Sequence, residues 1–328
     1  MSDLRAIGGP VASGKPIRQT LAMTDEPRAA DPASDIPASD VTIDFAGLPL
    51  VVRVWGDRAK PPVILQHGGK DHGRSWDWTV AALSDRYCLI VPDLRGHGDS
   101  GHARGGHYAE EAYLSDFAAV DAWVADRWDG PAAIVGHSLG GGIALRYASA
   151  FPARVAALIA MEGLGRSQKS YDEHTAVPLA ERYKKSAEKR LALSRSAPRH
   201  FTDREAAIAR MSSLHPQLPP ERARHLAVHA LREDARGWRW KHDHMLAWTE
   251  PRATAPSEYL EAYAAITCPV LLMYGADSWA SSPETDGRMA AFRDARLVTY
   301  ERAGHWLHHD RFDAFAADAS AFLAEHYA

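Results

Sequence analysis

The stretch Gly136-His137-Ser138-Leu139-Gly140 decides the fold of this chain. A short apolar run typical of a strand precedes it at residues 132–135, and a helical pattern follows it at residues 143–148. A G-x-S-x-G motif between a strand and a helix predicts a sharp turn that exposes the serine hydroxyl at the end of a sheet. We therefore predict that Ser138 is a nucleophile, and the alternative is a glycine turn with only a structural role.

Composition narrows the classes of protein that this chain can belong to. The 328 residues are 46% hydrophobic and 24% charged, with a formal net charge of -4, which is ordinary for a globular protein with a large core. The chain has no run of basic residues, so we do not expect nucleic acid as a partner. It also has no apolar run that reaches the roughly 18 residues of a membrane span, so we do not expect a membrane partner. No secretory signal is recognisable at the start, so a cytoplasmic location is expected. The composition leaves the oligomeric state open, with a homodimer as one option.

The two cysteines, Cys88 and Cys268, each lie beside a strand pattern and are far apart in the sequence. Such isolated cysteines favour buried thiols over a disulfide.

The order of apolar runs predicts an α/β fold. A hairpin at residues 41–55 is followed by six further short apolar runs, and helical patterns lie between most of them. Continuous apolar strands are typical of a parallel sheet that helices cover on both faces. We predict a mostly parallel eight-stranded sheet, built from residues 41–163 and 267–328.

Two regions depart from this alternation. Residues 1–40 are rich in Ala, Pro, Asp and Ser without any period, and are expected to be a disordered extension. Residues 164–266 contain charged helical patterns and no recognisable strand, so we expect them to form a helical cap inserted after the sixth strand. Trp238, Trp240 and Trp248 in this region could belong to its core or line an apolar pocket.

A serine becomes nucleophilic only when a neighbouring base accepts its proton. His305 follows the last strand pattern and Gly304, at a strand end where catalytic groups gather in open α/β sheets. It is the predicted base, while His308 and His309 are weaker candidates nearer the start of the final helix.

A carboxylate is expected to orient this histidine. Glu162 follows the sixth strand and Asp277 follows the seventh, and both strand ends lie on the same side of the sheet as Ser138. The residue types alone leave these two acids open.

Four motifs together resemble the α/β-hydrolase superfamily: His67-Gly68-Gly69, the block at residues 93–100, the glycine-rich stretch at 136–141, and Gly304-His305. The resemblance covers residues 41–328 and implies a serine hydrolase with a cap. In most such hydrolases the acid lies three residues beyond the glycine that ends the seventh strand, where this chain has Ser278. In a minority the acid ends the sixth strand, about two dozen residues beyond the nucleophile, and Glu162 lies 24 residues beyond Ser138. The resemblance therefore favours Glu162.

The same chemistry needs two backbone amides that point at the developing oxyanion. The resemblance implies the amide of Leu139, directly after the nucleophile, and that of Gly69 in the loop after the third strand. The residues at 93–100 are expected to fix this loop rather than to act on substrate.

We predict a carboxylic ester or lactone hydrolase that acts on an apolar small molecule and needs neither cofactor nor metal. His225 and His229 have a helical spacing that can bind metal, but no third ligand is recognisable in the sequence. Alternatives on the same residues are carbon–carbon bond hydrolysis and cofactor-free perhydrolase chemistry. A ligand receptor without turnover is the alternative from another class.

Overall fold

The structure is a computed structural model that describes residues 31–327. Its strands in chain order are β1 (Ala38–Phe45), β2 (Leu48–Trp55), β3 (Pro62–Gln66), β4 (Cys88–Pro92), β5 (Ala132–His137), β6 (Val155–Met161), β7 (His200–Phe201), β8 (Leu231–Asp234), β9 (Gly237–Trp240), β10 (Val270–Gly275) and β11 (Ala295–Tyr300). Its helices are α1 (Asp77–Leu83), α2 (Glu110–Ala125), α3 (Leu139–Ala150), α4 (Gln168–Thr175), α5 (Leu179–Arg195), α6 (Arg204–Leu214), α7 (Pro220–Ala230), α8 (Pro256–Tyr263), α9 (Leu307–Asp310) and α10 (Phe312–His326).

Eight strands form the central sheet in the order β1-β2-β4-β3-β5-β6-β10-β11. Strand β2 runs antiparallel to both of its neighbours, whereas the pairs from β4 to β11 are all parallel. The predicted mostly parallel eight-stranded sheet is confirmed. Because β5 and β6 are adjacent and parallel, the residues that follow them lie at the same edge of the sheet.

Alternate residues of each central strand belong to two separate cores. On β3, the side chain of Ile64 packs in one core with those of α2 and α3, while Val63 and Leu65 pack in the other with those of α1 and α10. This arrangement explains the continuous apolar runs, since a strand covered on both faces has no polar side. Cys88 and Cys268 are buried and unpaired, as predicted, and burial raises both thiol pKa values to about 11.

The start of the ordered core differs from the prediction. Of the extension predicted to be disordered, residues 1–30 lie outside the described residues, whereas residues 31–36 form turns and β1 begins at Ala38. Ala33 is fully buried in the core on the α1 side, and the Asp31 carboxylate pairs with Arg74. The ion pair and one small buried side chain hold a segment that composition alone marks as unstructured.

The insertion between β6 and β10 holds helices α4 to α8, and three short strands that were not predicted. Strands β7, β9 and β8 form a separate antiparallel sheet in that order. They have two to four residues each, too short to produce a recognisable alternation. The prediction that residues 164–266 lack strands is therefore wrong. Among residues 31–327, no helix combines the length and the apolar composition needed to cross a membrane.

Buried histidines are unusually frequent near the carboxyl edge of the sheet. Burial lowers the pKa of His67 to about 4, and it lowers the pKa values of five others well below the usual 6.5: His72, His97, His137, His308 and His309. Two neighbouring carboxyl groups shift in the opposite sense, since burial raises the pKa of Asp71 to about 7 and that of Asp93 to about 6.

These shifts predict that the fold loses stability on mild acidification. Below about pH 6.5 the unfolded chain binds protons on histidines that stay neutral in the folded protein, so each such group lowers the free energy of unfolding by about 1.4 kcal/mol per pH unit. Asp71 and Asp93 oppose this, because they bind protons in the folded state first, but they are fewer. Urea unfolding at about pH 7.5 and about pH 5.5 should show a loss of several kcal/mol.

A matched variant isolates one of these groups. His308 has neither ring nitrogen hydrogen-bonded among the described residues, and its ring packs on Trp76 at 5.0 Å. His308→Phe should reduce the pH slope by about 1.4 kcal/mol per pH unit. A stability that is constant or rises as the pH falls would contradict the account.

Candidate active site

Ser138 lies in a strained turn between β5 and α3. Its backbone has φ 51° and ψ -115°, a conformation that residues with a side chain rarely adopt. The flanking glycines permit the close packing that holds this turn: a Cβ on Gly136 would lie 2.6 Å from the Gly140 carbonyl oxygen, and one on Gly140 would lie 2.3 Å from that of Gln66. The strand–turn–helix context predicted from the sequence is confirmed.

His305 reaches Ser138 from the loop that follows β11. The Nε2 atom of His305 lies 2.9 Å from the Ser138 Oγ. The backbone carbonyl of His305 accepts a hydrogen bond from the Nε2 atom of His137 at 2.7 Å, which ties the histidine loop to the residue next to the serine. His308 and His309, the weaker candidates, are buried on α9, and no hydrogen bond joins them to Ser138.

Glu162 orients His305 from the end of β6. Its Oε2 atom accepts a hydrogen bond from the Nδ1 atom of His305. Its backbone has φ 49°, so the strand ends in a second strained residue beside Ser138. The Glu162 side chain is fully buried, and its Oε1 atom accepts a hydrogen bond from the Gly275 amide at 2.9 Å. A buried carboxylate with these donors is fixed in position and holds the imidazole of His305 through the Nδ1 hydrogen bond.

Asp277, the other candidate acid, has an exposed side chain. Its backbone amide donates a hydrogen bond to the Ala303 carbonyl, but its carboxylate is not brought to the imidazole. Of the two acids that the residue types left open, the structure brings Glu162 to His305. Asp277 follows Gly275 by two residues, and this position turns its side chain towards solvent.

Ser278 makes a contact with Glu162 that the sequence did not predict. Its hydroxyl donates a hydrogen bond of 2.6 Å to the same Oε2 atom of Glu162 that accepts from His305. Ser278 occupies the position where most members of the superfamily carry the acid. The serine at this position could have identified the contact, because a short side chain with a hydroxyl can donate a hydrogen bond to a carboxylate at the end of β6.

The two predicted oxyanion residues lie on either side of the serine. Leu139 is the first residue of α3, directly after Ser138, and its side chain lies 3.9 Å from the position of a Cβ on Gly69. A Cβ on Gly68 would lie 3.3 Å from the Ser138 Cβ, so only glycine allows this loop to approach the nucleophile. The loop after β3 therefore runs beside the serine at the N-terminal end of α3.

The block at residues 93–100 supports this loop, as the sequence predicted. The Asp93 carboxylate accepts hydrogen bonds from the amides of Gly73 at 2.6 Å and Asp99 at 2.8 Å. The His67 Nε2 atom accepts one from the Leu94 amide at 3.0 Å. These bonds are internal to the fold and leave none of the block's charged groups at Ser138.

A cleft of about 1140 Å³ opens over Ser138 and Glu162. The insertion supplies much of its wall, through residues 165–173 and 248–259, and Trp279 stands at its edge with its ring 4.7 Å from that of His305. Of the three tryptophans singled out in the sequence, Trp248 lines the cleft. Trp238 and Trp240 instead pack around Phe201 in the small core of the insertion.

His225 and His229 have a third potential ligand that the sequence did not reveal. This residue is Asp77, on α1. One of its carboxylate oxygens and one ring nitrogen of each histidine all lie within 4.8 Å of one another. The Asp77 carboxylate already accepts a hydrogen bond from the Nε atom of Arg74 at 2.7 Å, and the Nε2 atom of His225 lies 3.0 Å from it. Arg74 forms an ion pair with this carboxylate, and the contact of Asp77 with His225 links α1 to α7.

The comparisons with known proteins identify the family of this chain. The family model for the alpha/beta hydrolase fold matches residues 61–312. This chain belongs to the alpha/beta hydrolase family. A serine hydrolase-like protein of Dictyostelium discoideum is 24% identical over 298 residues, which cover 85% of this chain and 79% of that protein.

Two further similarities bear on the chemistry. A 2-hydroxy-6-oxo-2,4-heptadienoate hydrolase of Pseudomonas putida is 36% identical over 110 residues, which cover 32% of this chain and 38% of that enzyme. Among solved structures, the thioesterase domain from the curacin biosynthetic pathway is 26% identical with a TM-score of 0.73, and the match covers 86% of this chain and 98% of that domain. These relatives are hydrolases by name, whereas the substrates that their names describe differ.

Proposed function

We propose that this protein is a serine hydrolase that cleaves carboxylic esters or lactones through Ser138, His305 and Glu162. The observation that carries the proposal is the continuous hydrogen-bonded chain from the Ser138 Oγ through both ring nitrogens of His305 to the Glu162 carboxylate. A nucleophile, a base and an orienting acid in this order are the recurring arrangement of acyl-transfer enzymes.

In the first half of the reaction, the His305 Nε2 atom accepts the Ser138 proton as the oxygen attacks the substrate carbonyl. The amides of Leu139 and Gly69 would stabilise the negative charge that develops on the carbonyl oxygen, and each such donor contributes about 3 kcal/mol. The imidazolium then gives its proton to the leaving alcohol, and the acyl group remains on Ser138. In the second half, a water molecule attacks this ester with His305 again acting as base.

Glu162 acts through His305. By accepting a hydrogen bond from the Nδ1–H group, Glu162 keeps the imidazole in the tautomer whose Nε2 lone pair faces Ser138. It also stabilises the imidazolium that forms in each half-reaction. Its two oxygens are held by Gly275 and Ser278, so the imidazole is oriented before the substrate arrives.

The position of the insertion supports a role as the cap that selects substrates, since its residues form a wall of the cleft at Ser138. The aromatic rings of Trp248, Tyr274 and Trp279 line the same cleft and support the predicted small apolar substrate at the reacting end. A cytoplasmic location and independence of cofactors remain parts of the proposal.

Carbon–carbon bond hydrolysis is the second candidate function. The similarity to the Pseudomonas putida enzyme favours it, because the matched segment of that protein is 36% identical and its name describes a ring-fission dienoate substrate. The same serine, histidine and acid would serve this reaction, so turnover of esters, lactones and a ring-fission dienoate distinguishes the two.

Hydrolysis of p-nitrophenyl acetate and butyrate tests the proposed residues. We expect Ser138→Ala to reduce kcat/KM by several orders of magnitude, because the Ser138 hydroxyl is the group that lies at the His305 Nε2 atom. Glu162→Gln should reduce it on the order of a thousandfold or more, since an amide oxygen is uncharged and cannot stabilise the imidazolium equally. Asp277→Asn is the matched control and should retain the wild-type rate. Near-normal turnover by Ser138→Ala, or collapse of the Asp277 variant alone, would contradict the assignment.

The hydrogen bond from Ser278 to Glu162 leads to a second prediction with the same substrates. Because its hydroxyl already contacts the Glu162 oxygen that faces His305, an aspartate at this position would bring a new carboxylate to the imidazole. The double variant Glu162→Gln, Ser278→Asp should therefore recover at least about tenfold over Glu162→Gln alone. Ser278→Ala should lower kcat more than KM. A double variant no faster than the single one would show that Ser278 does not share the acid's position.

A further inference from the structure

Arg146 is a charged residue of the cleft that the proposed reaction does not use. It lies on α3, two helical turns after Ser138, and lines the same cleft as the serine. Its two terminal nitrogens lie 3.3 and 3.4 Å from the position of a Cβ on Gly142, whose amide donates a hydrogen bond to the Ser138 carbonyl. The guanidinium therefore lies against the first turn of α3, about 6 Å along the helix from the serine.

The Arg146 side chain is mostly buried, and Glu110 is the carboxylate that lies within ion-pair distance of it. The Arg146 side chain is only 14% exposed, and the structure gives it no hydrogen bond to any of residues 31–327. Its Nε atom is buried without a partner. A buried donor without an acceptor has lost its hydration without compensation, and the cost is larger for a charged group.

The carboxylate of Glu110 lies close to Arg146 but does not accept a hydrogen bond from it. An oxygen of Glu110 lies 3.7 Å from the Arg146 Nη1 atom, beyond hydrogen-bonding distance, and the Tyr259 hydroxyl bonds both Glu110 oxygens at 2.8 and 2.9 Å. The Tyr259 ring itself lies 5.9 Å from the guanidinium carbon. These neighbours hold the guanidinium in the cleft and leave its donors open.

The other cations of the cleft differ from Arg146 in their surroundings. Arg166, Lys169 and Arg252 also line it, but all three are exposed, and Arg166 and Arg252 donate hydrogen bonds to Ser170 and Tyr183. Among the described residues of the cleft, Arg146 is the cation that is both mostly buried and without a hydrogen bond.

We propose that the cleft takes esters whose far end carries a carboxylate, and that Arg146 binds this carboxylate while Ser138 attacks the ester. The inference rests on the proposed function and specifies its substrate class. A guanidinium presents a planar fork of donors that matches both oxygens of a carboxylate, and the pair is strongest where water is excluded. Because the guanidinium lies at Gly142, one turn of α3 from Ser138, we expect a spacer of a few methylene groups between the ester and the carboxylate.

The test uses mono-p-nitrophenyl esters of straight-chain dicarboxylic acids of increasing length. The control substrates are the same esters with the free carboxylate replaced by a primary amide of nearly equal size. Wild type should prefer the carboxylate over the amide at one optimal length. Arg146→Gln should lower kcat/KM for that carboxylate ester by about tenfold to a hundredfold and leave the amide unchanged, since only the charged hydrogen bonds are lost. The kcat/KM of Arg146→Lys for the carboxylate ester should lie between those of wild type and Arg146→Gln, because lysine keeps the positive charge but lacks the planar pair of donors. Arg252→Gln is the matched control and should not change the preference.

Binding separates this inference from the proposed reaction. The dicarboxylate of the optimal length, or of each length if no ester is turned over, should raise the Tm of wild type and of Ser138→Ala but not that of Arg146→Gln. Turnover of amides and carboxylates at equal rates, with no effect of Arg146→Gln, would overturn the inference and leave the ester hydrolase intact. Binding that depends on Arg146 in a protein inert towards every ester would uphold the carboxylate site and contradict the proposed reaction.

Discussion

The Glu162 carboxylate joins three parts of the chain that are far apart in sequence. One of its oxygens accepts from His305 and Ser278, and the other accepts from the Gly275 amide. It can do so only because β6 lies between β5 and β10, so that the ends of all three strands meet at one edge. The strained conformations of Ser138 and Glu162 sit side by side at this edge, and the sheet and its two cores hold them there. The proposed chemistry depends on this one buried carboxylate more than on any other contact.

The cleft lies between the edge of the sheet and the insertion. The sheet edge fixes Ser138 and its partners, while the insertion between β6 and β10 surrounds the space where a substrate would lie. The Trp279 ring lies 4.7 Å from that of His305, and the guanidinium of Arg146 lies further along α3. Such a division would suit a substrate with an apolar reacting end and a charged far end, because each end meets surroundings that stabilise it.

Sequence patterns predicted the features that local rules govern. Strands covered on both faces, the elbow at Ser138 and the strand-end histidine all follow from short-range patterns, and the sheet order agrees with them. The choice between Glu162 and Asp277 needed the family resemblance, because two acids at neighbouring strand ends are equivalent until their side-chain directions are known. The Asp77 contact with His225, the Ser278 hydrogen bond and the lack of a hydrogen bond to the Arg146 side chain depend on contacts between distant segments, which no local pattern encodes. The strands β7 to β9 were missed because two to four residues carry too little periodicity.

Covalent labelling with a fluorophosphonate, located by mass spectrometry of the digested protein, measures directly whether Ser138 is an activated nucleophile. The reagent reports only whether an activated serine is present, so it does not depend on knowing the substrate. We expect one adduct, on Ser138, that forms at the same rate in Asp277→Asn and more slowly, by about a hundredfold or more, in Glu162→Gln. Labelling at another residue, or equal rates in wild type and Glu162→Gln, would contradict it.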